Sequence, residues 1–314
     1  MNPARTEPAR LVVEATKSLR DMNRLLNKFG SFALLASLFI SLSTGAKEKS
    51  SNDLRVMSFN IRLGVANDGP NHWDLRKDLV FATIQKFKPD LLGLQEVFPM
   101  QEKYLKDKFP EYAYYGRSRL VAPQNGEACS VMIRTDRFEV VEKSTFWLSK
   151  TQDEPGSKNW DSSLPRIANL VHLTDRKTGG KKLTFVNTHF DHRGKVAREE
   201  AAKIIKKRVD NLGDGVRVVV AGDFNSGEGS KPYQLLVGGN LLDTFRVTKP
   251  MRTDKESTFT AWNGRLVGNR IDWLLCSPNL RVLSAEIDRT HFEGRYPSDH
   301  YPVTAVLGYG KETD

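Results

Sequence analysis

From residue 53 onward, short runs of almost unbroken apolar residues alternate with segments that repeat at helical spacing. The run Val216-Arg-Val-Val-Val-Ala221 is a clear example, because a strand that is apolar at nearly every position must be buried on both faces. Strands of this kind belong to sheets that are covered by other layers of structure. The alternation therefore predicts a layered α/β fold.

The element boundaries follow from the same periodicity. Eight strands are predicted at residues 54–61, 91–95, 130–134, 167–174, 183–188, 216–221, 271–276 and 302–307. Four helices are predicted at residues 74–87, 99–108, 196–211 and 231–237. No internal repeat and no linker rich in proline, glycine or serine divides this part of the chain, so the simplest interpretation is one domain over residues 53–310.

The amino-terminal 52 residues differ in character from the rest. Arg24 and Lys28 precede the apolar run 32–42, which ends near Ala46, and this order is that of a secretory signal peptide. The run is shorter than the roughly 20 residues that span a bilayer. We therefore expect a signal peptide at residues 22–46, cleaved near Ala46, with an uncleaved membrane anchor as the alternative. Residues 1–21 are expected to be an unstructured extension or to precede the true start, and residues 47–52 to be a linker. The mature protein would be secreted or periplasmic.

Composition and charge are those of a globular protein. Hydrophobic residues make up 39% of the chain and charged residues 27%, which is enough apolar material for a sizeable core. The net charge is +10, and the eight basic and four acidic residues among the first 50 leave +6 for the remainder. This surplus suits a polyanionic substrate or an anionic membrane, although it is also common on solvated surfaces. Cys129 and Cys276 lie in apolar stretches and are expected to be buried free thiols.

Polar residues interrupt or follow the predicted strands at six places, where a purely structural design would need turn residues and little else. The six motifs are Phe59-Asn60-Ile61, Leu94-Gln95-Glu96-Val97, Asn187-Thr188-His189-Phe190-Asp191, Gly222-Asp223-Phe224-Asn225, Ile271-Asp272-Trp273 and Ser298-Asp299-His300. In chain order they resemble the motifs of the endonuclease/exonuclease/phosphatase family, over roughly residues 53–308. The resemblance implies a DNase I-like four-layer α/β sandwich, in which two mixed β-sheets pack face to face and are flanked by helices.

Glu96 is the first candidate for a metal ligand. A carboxylate at the end of a buried strand costs several kcal/mol unless it is paired or bound to a metal. Oxygen donors suit Mg²⁺, which keeps several of its waters and leaves room for a phosphate. The resemblance places Asn60 beside Glu96 and makes Asp299 a further metal or leaving-group contact, although Asn60 alone could simply cap a turn. Mg²⁺, or Mn²⁺ in its place, is the expected cofactor.

Asp223 and Asn225 flank Phe224 directly after a strand, and alternation along an extended backbone would turn both side chains to one side. An ordinary turn is the alternative interpretation. The resemblance implies that Asp223 orients or deprotonates the attacking water and that Asn225 holds a phosphate oxygen.

The resemblance also assigns roles to two histidines. It implies that His189 and His300 bind the phosphate and that Asp272 fixes the tautomer of His300. Taken alone, His300 would be interpreted as a structural histidine. Asp191 and His192 continue the His189 loop and are candidates for a substrate contact, with no contact as the alternative.

Two features separate the chain from the DNA-repair branch of that family. Abasic-site endonucleases carry an acidic residue shortly after the asparagine of the first motif, whereas Arg62 stands there in this chain. The motif at residues 187–192 and the stretch at residues 145–166 are more similar to secreted bacterial members, and this stretch is expected to form a lid or a substrate wall. Arg166 within it is a candidate phosphate clamp, with a surface ion pair as the alternative.

The resulting hypothesis is a Mg²⁺-dependent phosphoesterase in which water attacks a phosphodiester or a phosphomonoester. A nuclease acting on DNA or RNA could stack bases on Trp160 and Trp262, but no concentrated Lys/Arg stripe lies beside the motifs. A phosphodiesterase acting on a phospholipid headgroup would also suit an exported enzyme, although no apolar surface loop is evident. A non-catalytic binding module is disfavoured because Glu96, Asp223 and His300 are all retained. No obligate protein partner is inferred, and a monomer is expected.

Overall fold

The computed structural model describes residues 52–213 and 215–310. The strands are β1 (Leu54–Asn60), β2 (Leu91–Val97), β3 (Tyr112–Ser118), β4 (Ala128–Arg134), β5 (Phe138–Trp147), β6 (Ile167–Asp175), β7 (Lys181–His189), β8 (Arg217–Asp223), β9 (Leu242–Asp243), β10 (Asp272–Cys276), β11 (Leu280–Ile287) and β12 (Val303–Tyr309). The α-helices are α1 (Trp73–Phe87), α2 (Pro99–Lys108), α3 (Lys195–Asp210), α4 (Lys231–Val237) and α5 (Thr244–Thr248). The predicted signal peptide at residues 22–46, the extension before it and residues 47–51 of the predicted linker lie outside the described residues.

These strands form two mixed six-stranded sheets. The first has the order β11-β12-β1-β2-β4-β3, and the second has the order β5-β6-β7-β8-β10-β9. Strands β1 and β2 pair in parallel, as do β7 and β8, while the other neighbours are antiparallel. The predicted fold of two packed sheets flanked by helices is confirmed. The sequence pattern misses β3, β5, β9 and β11, which are the four edge strands.

The apolar side chains form three layers. One layer lies between the two sheets and includes Val56 and Phe185. A second packs the first sheet against α1 and α2, and a third packs the second sheet against α3 and α4. Because side chains alternate along a strand, Asn60 continues the inter-sheet row of Val56 and Asp223 continues that of Ala221. Polar residues at these strand ends therefore face the cleft between the sheets.

A buried polar link joins the two sheets below these strand ends. The Gln95 side-chain amide donates to the Asn187 side-chain oxygen at 2.7 Å, and Asn187 donates to the carbonyl oxygens of Leu94 and Ser130 at 2.9 and 2.8 Å. Gly93 makes room for this link, because a Cβ atom there would lie 2.5 Å from the Asn187 oxygen. The link fixes the relative position of the two sheets directly under the cleft.

A second polar cluster holds the opposite ends of the strands. The fully buried guanidinium of Arg137 pairs with Asp90 at 2.9 Å and with Asp175 at 2.7 Å, and it also donates to the carbonyl oxygens of Asn52 and Asp53. A charge this deep is tolerated because its donors are paired with carboxylates and carbonyl groups. The cluster ties the start of β1 to both sheets.

The structure also bears on the two cysteines and on membrane-spanning helices. Cys129 and Cys276 are buried and free, and burial raises the pKa of both thiols. In the described part of the chain, we find no helix with the length and apolar character that a membrane crossing requires.

Candidate active site

The register of the second sheet brings three predicted residues together. Asp223, the last residue of β8, is the cross-strand neighbour of His189 on β7 and of Asp272 on β10. The His189 Nε2 atom lies 3.4 Å from Asp223 Oδ2. His300, in the segment before β12 of the other sheet, places Nε2 3.8 Å from the same oxygen. All four side chains are buried, so the two sheets jointly enclose this cluster.

His300 is held as a cation by its neighbours. Its Nδ1 atom lies 3.0 Å from Asp272 Oδ2 in a hydrogen bond. Burial by itself would lower the pKa of His300, but the carboxylates of Asp272 and Asp223 outweigh burial and raise this pKa well above the usual range. The imidazolium can therefore donate from Nε2 toward a bound anion.

His189 has the opposite protonation state. Burial, aided by the nearby charge of Arg166, lowers the pKa of His189 to about 3. Its Nδ1 atom lies 3.3 Å from Glu127 Oε1, but the two groups are not aligned for a hydrogen bond. His189 is therefore neutral at physiological pH, and the pocket contains one charged and one uncharged imidazole.

Asn60 connects this cluster to Glu96. Its side-chain amide donates to Glu96 Oε1 at 3.1 Å and to Asp223 Oδ2 at 3.0 Å. The second oxygen of Glu96 accepts from the Leu63 amide at 2.9 Å, so the carboxylate is held from both sides. The six motifs of the sequence therefore converge on one pocket, as the resemblance implied, although the chemical role of each residue stays a prediction.

Backbone strain is concentrated around the pocket. Of the eight described non-glycine residues with positive φ, five lie close to the site residues in the chain or contact them through the backbone, namely Arg62, Glu96, Asn225, Ala261 and Trp262. Such backbone conformations are costly for residues with side chains, and they tend to persist where function requires them. Asn225 illustrates the result, since its amide donates to the Phe190 carbonyl oxygen at 3.1 Å and its backbone N–H donates to Asp223 at 2.9 Å.

Several carboxyl groups of the pocket lie close together. Burial raises the pKa of Asp223, and the adjacent charge of Asp272 raises it further. Burial likewise raises the pKa of Asp299, with a contribution from Glu96. One oxygen of Asp272 is buried and has no hydrogen-bond donor. An excess of oxygen donors with one left unsatisfied fits a hard divalent cation.

Two positions could hold such an ion. Asp223, Asp272 and His300 each offer one ligand atom, and these atoms lie within 4.8 Å of one another. Binding of a metal by His300 would require release of the proton that its neighbouring carboxylates favour. Glu96 is only partly buried and is oriented by two donors, so an oxygen site around Glu96 with Asn60 and Asp299 nearby is better suited to Mg²⁺.

Glu127 is a pocket residue that the sequence patterns miss. It is buried beside His189 and pairs with Arg119 at 2.9 Å and with Arg166 at 3.5 Å. It immediately precedes β4, which runs antiparallel to β2, so the amino end of β4 lies at the same edge as the carboxyl end of β2. A search for polar residues at both ends of apolar runs would have found it.

Arg166 is 5% exposed and is already paired. Its guanidinium contacts Glu127, lies 3.6 Å from Asp191 and donates to His192 Nδ1 at 3.0 Å. These contacts make Arg166 a support for the His189 loop, and the predicted contact with a phosphate stays a prediction.

The stretch around residue 163 forms a fixed wall. Asp191 accepts from the Ser163 hydroxyl at 2.7 Å and from the backbone N–H groups of Ser163 and Leu164. Asp161 accepts from the backbone N–H of Ala197 in the first turn of α3 at 2.7 Å. The sequence left open whether this stretch forms a lid or a substrate wall, and these contacts favour a wall.

A site that joins carboxylates, an amide and two imidazoles at the end of a two-sheet sandwich, with a group of side chains that could hold a metal ion, is that of a phosphoester hydrolase. Residues 57–300 match the model of the Endonuclease/Exonuclease/phosphatase family, and the chain belongs to this family.

Proteins similar to this chain include one named as a phosphatase and one named as an exoribonuclease subunit. A solved structure of a mannosyl-6-phosphatase from Bacteroides thetaiotaomicron is 34% identical, with a TM-score of 0.75, and the match covers 82% of this chain and 100% of that one. Nocturnin of Rattus norvegicus is 22% identical, over 88% of this chain and 70% of its own length. The CCR4-Not complex 3'-5'-exoribonuclease subunit Ccr4 of Candida albicans is 24% identical, over 74% of this chain and 37% of its own length.

Proposed function

We propose that this protein is a Mg²⁺-dependent phosphatase acting on a phosphomonoester of a small polar molecule, such as a sugar phosphate. The observation that carries the proposal is the convergence of Asn60, Glu96, His189, Asp223 and His300 in one pocket. The substrate class is supported by the likeness to a mannosyl-6-phosphatase, which covers the whole of that solved chain. The excess of oxygen donors supports Mg²⁺.

The residues of this pocket suit in-line attack by water. Burial and Asp272 raise the pKa of Asp223, which makes its carboxylate a better proton acceptor than an ordinary one. The imidazolium of His300 would donate to a phosphoryl oxygen on which negative charge develops, and neutral His189 with Asn225 would hold the other oxygens. A divalent ion bound at Glu96 would supply charge neutralisation at the phosphoryl group. The burial of His189, Asp223 and His300 strengthens their electrostatic interactions.

The test is a substrate panel with the mature protein. Sugar phosphates, single- and double-stranded DNA, RNA, sphingomyelin and phosphoinositides are compared with and without Mg²⁺ and EDTA. We expect hydrolysis of sugar phosphates that EDTA abolishes and Mg²⁺ restores. Glu96→Ala, Asp223→Ala and His300→Ala should each lower kcat by about a hundredfold or more, whereas exposed Asp107→Asn should not. If the kcat of His300→Ala equals that of the parent protein, the assignment of this pocket is wrong.

A nuclease is the second candidate. The net charge of +6 outside the first 50 residues favours nucleic acid, and a relative named for 3'-5'-exoribonuclease activity belongs to the same family. Trp262 is partly exposed and lies over Arg76, with 5.2 Å between the guanidinium and the ring centroid. Preferential hydrolysis of RNA in the panel, lost in Trp262→Ala, would favour this candidate.

We further propose that the protein is exported and works as a monomer. The charged and apolar order of residues 22–46 supports export. Fractionation of cells that express the full chain with a carboxyl-terminal tag tests export. Determination of the mass of the mature protein in solution tests the monomeric state. A product that retains residues 22–46 in the membrane fraction would favour the anchor instead.

A further inference from the structure

Arg76 on α1 is a buried charged side chain that binds several backbone segments at once. It is 1% exposed. Among the residues that the structure describes, its hydrogen bonds all go to backbone carbonyl oxygens, namely those of Ile61 at 2.7 Å, Asn71 at 2.8 Å, Arg62 at 2.9 Å and Pro297 at 2.9 Å. Each of these carbonyl groups is therefore held by one guanidinium, whose planar shape fixes the directions of its donors.

Three of these carbonyl groups belong to the segments that carry predicted metal ligands. Ile61 and Arg62 follow Asn60 at the end of β1, and Pro297 lies two residues before Asp299. Strands β1 and β12 are antiparallel neighbours, so the end of β1 and the segment that enters β12 lie at the same edge of the sheet. One side chain therefore fixes both segments relative to each other.

Gln101 on α2 holds the same turn after β1 from a second helix. It is fully buried, and its Nε2 atom donates to the Arg62 carbonyl oxygen at 2.8 Å. Its Oε1 atom accepts from the Gly64 N–H at 2.9 Å and from the Phe98 N–H at 2.9 Å. Side chains of two helices therefore hold the turn at residues 61–64.

This turn presents two backbone N–H groups to the pocket. Arg62, whose φ of 55° is left-handed, donates its N–H to Asn60 Oδ1 at 2.9 Å. Leu63 donates its N–H to Glu96 Oε2 at 2.9 Å. Because Asn60 Oδ1 accepts from the turn, its Nδ2 atom is the one that donates to Glu96 and Asp223. The left-handed backbone is costly for a residue with a side chain, so it depends on the groups that hold it.

The side chain of Arg62 has other partners. Its Nε atom lies 2.9 Å from Asp68 Oδ2 and 3.7 Å from Asp299 Oδ2. The turn therefore acts on Asn60 and Glu96 through its backbone, and its conformation depends on the donors that hold the Arg62 carbonyl oxygen.

We propose that Arg76 is a positioning residue that, with Gln101, sets the turn at residues 61–64 and thereby orients Asn60 and Glu96 for binding a divalent ion. The proposal rests on the proposed metal-dependent function and adds residues that set the affinity of the site from outside it. Lysine cannot replace Arg76 in this role, because an ammonium group presents three donors from one point and lacks the fork of the guanidinium.

The test compares Arg76→Lys with Arg137→Lys, the same replacement of a buried arginine at the opposite ends of the strands. Calorimetric titration with Mn²⁺ in the absence of substrate measures the Kd, and urea unfolding measures stability. Arg76→Lys should raise the Kd for Mn²⁺ by about tenfold, because loss of a group that orients metal ligands typically weakens binding by that much. Both variants should lose stability, whereas Arg137→Lys should keep the Kd of the wild type.

Gln101→Met is a second variant, because it releases the same turn from α2 and leaves Arg76 in place. It should also raise the Kd for Mn²⁺ by about tenfold. Gln85→Met, at an exposed position on α1, is its matched control and should leave the Kd unchanged. Circular dichroism verifies that each variant is folded.

The outcomes separate this inference from the proposed function. A folded Arg76→Lys variant with the wild-type Kd would overturn the inference and leave a metal-dependent hydrolase intact. An equal rise of the Kd in Arg137→Lys would also overturn it, because lost stability rather than orientation would then explain the effect. A wild-type protein that binds no Mn²⁺ would overturn both proposals. If Arg76→Lys does not fold, Gln101→Met decides, with weaker binding supporting the inference and unchanged binding refuting it.

Discussion

His300 precedes β12 of the first sheet and Asp272 begins β10 of the second sheet, yet His300 Nδ1 and Asp272 Oδ2 are 3.0 Å apart. This hydrogen bond spans the cleft at its floor and sets both the orientation and the charge of the imidazole. It also directs Nε2 toward Asp223, so that the proton acceptor and the charged donor of the proposed reaction face the same space.

Asp272→Asn should therefore lower kcat by about a hundredfold, because the amide neither holds the imidazolium by charge nor fixes its orientation as well. The effect should fall on kcat more than on KM, since the charge of His300 matters most in the transition state. Steady-state kinetics on the substrate found in the panel measures both constants. Asp107→Asn, at an exposed end of α2, is the control. An unchanged kcat would show that this pair does not serve catalysis.

Asp191→Asn should destabilise the protein by about 2 kcal/mol at neutral pH, because its carboxylate accepts several hydrogen bonds from the Ser163 and His192 loops. Burial by itself would raise the pKa of Asp191, but the donors of Gly194 and Ser163 outweigh it and lower this pKa. A lowered pKa means that the stabilisation is fully present above the unfolded value of about 3.9 and is lost as the pH falls through the folded value.

Urea unfolding of the wild type and Asp191→Asn at pH 7 and pH 3 measures this dependence. The difference in the free energy of unfolding should be smaller at pH 3. A difference that grows on acidification would contradict the assigned direction of the pKa shift.

Gly93→Ala should destabilise the protein by about 2–4 kcal/mol, because the added Cβ would lie 2.5 Å from the Asn187 oxygen and would disrupt the buried link between the sheets. Gly308→Ala is the matched control in the same sheet, since a Cβ there meets its nearest atom at 3.5 Å. Thermal unfolding should separate the two variants clearly. Equal melting temperatures would mean that the link tolerates displacement.

Arg137→Met should cost about 3–5 kcal/mol of stability, since it leaves the buried carboxylates of Asp90 and Asp175 without their counter-charge. Its activity per folded molecule should stay close to that of the wild type, because Arg137 lies at the opposite ends of the strands from the pocket. Urea unfolding measures the loss of stability, and kcat at low temperature measures the activity of the folded variant. A large loss of kcat in the folded variant would indicate coupling between the two ends of the sheets.

The strands that the sequence pattern fails to predict are the edge strands of the two sheets. Central strands such as β8 are buried along their whole length and produce unbroken apolar runs. Edge strand β5 is exposed over residues 139–143, so its sequence Phe138-Glu-Val-Val-Glu142 has neither an unbroken run nor a strict alternation. Edge strands pack on fewer neighbours, and their sequences are therefore less constrained.

The residues of the pocket also fall into two groups, those that the sequence indicates and those that only the structure reveals. Asn60, Glu96, Asp223 and His300 are polar residues at the ends of apolar strands, where burial is costly without a purpose, and the resemblance to the family assigned them to one site. Glu127 also stands at the end of an apolar run, but only the tertiary structure shows that it approaches His189, because this contact depends on β4 running antiparallel to β2.

The sequence by itself determined the layered α/β class, the central strands and the chemical types gathered at their ends, because burial imposes a local pattern on each strand. Only the tertiary structure decided which of these groups meet, the protonation states of His189 and His300, and the position of Arg62 beside Asp299. These properties arise from distances between segments far apart in the chain, and electrostatic interactions depend on such distances rather than on sequence separation.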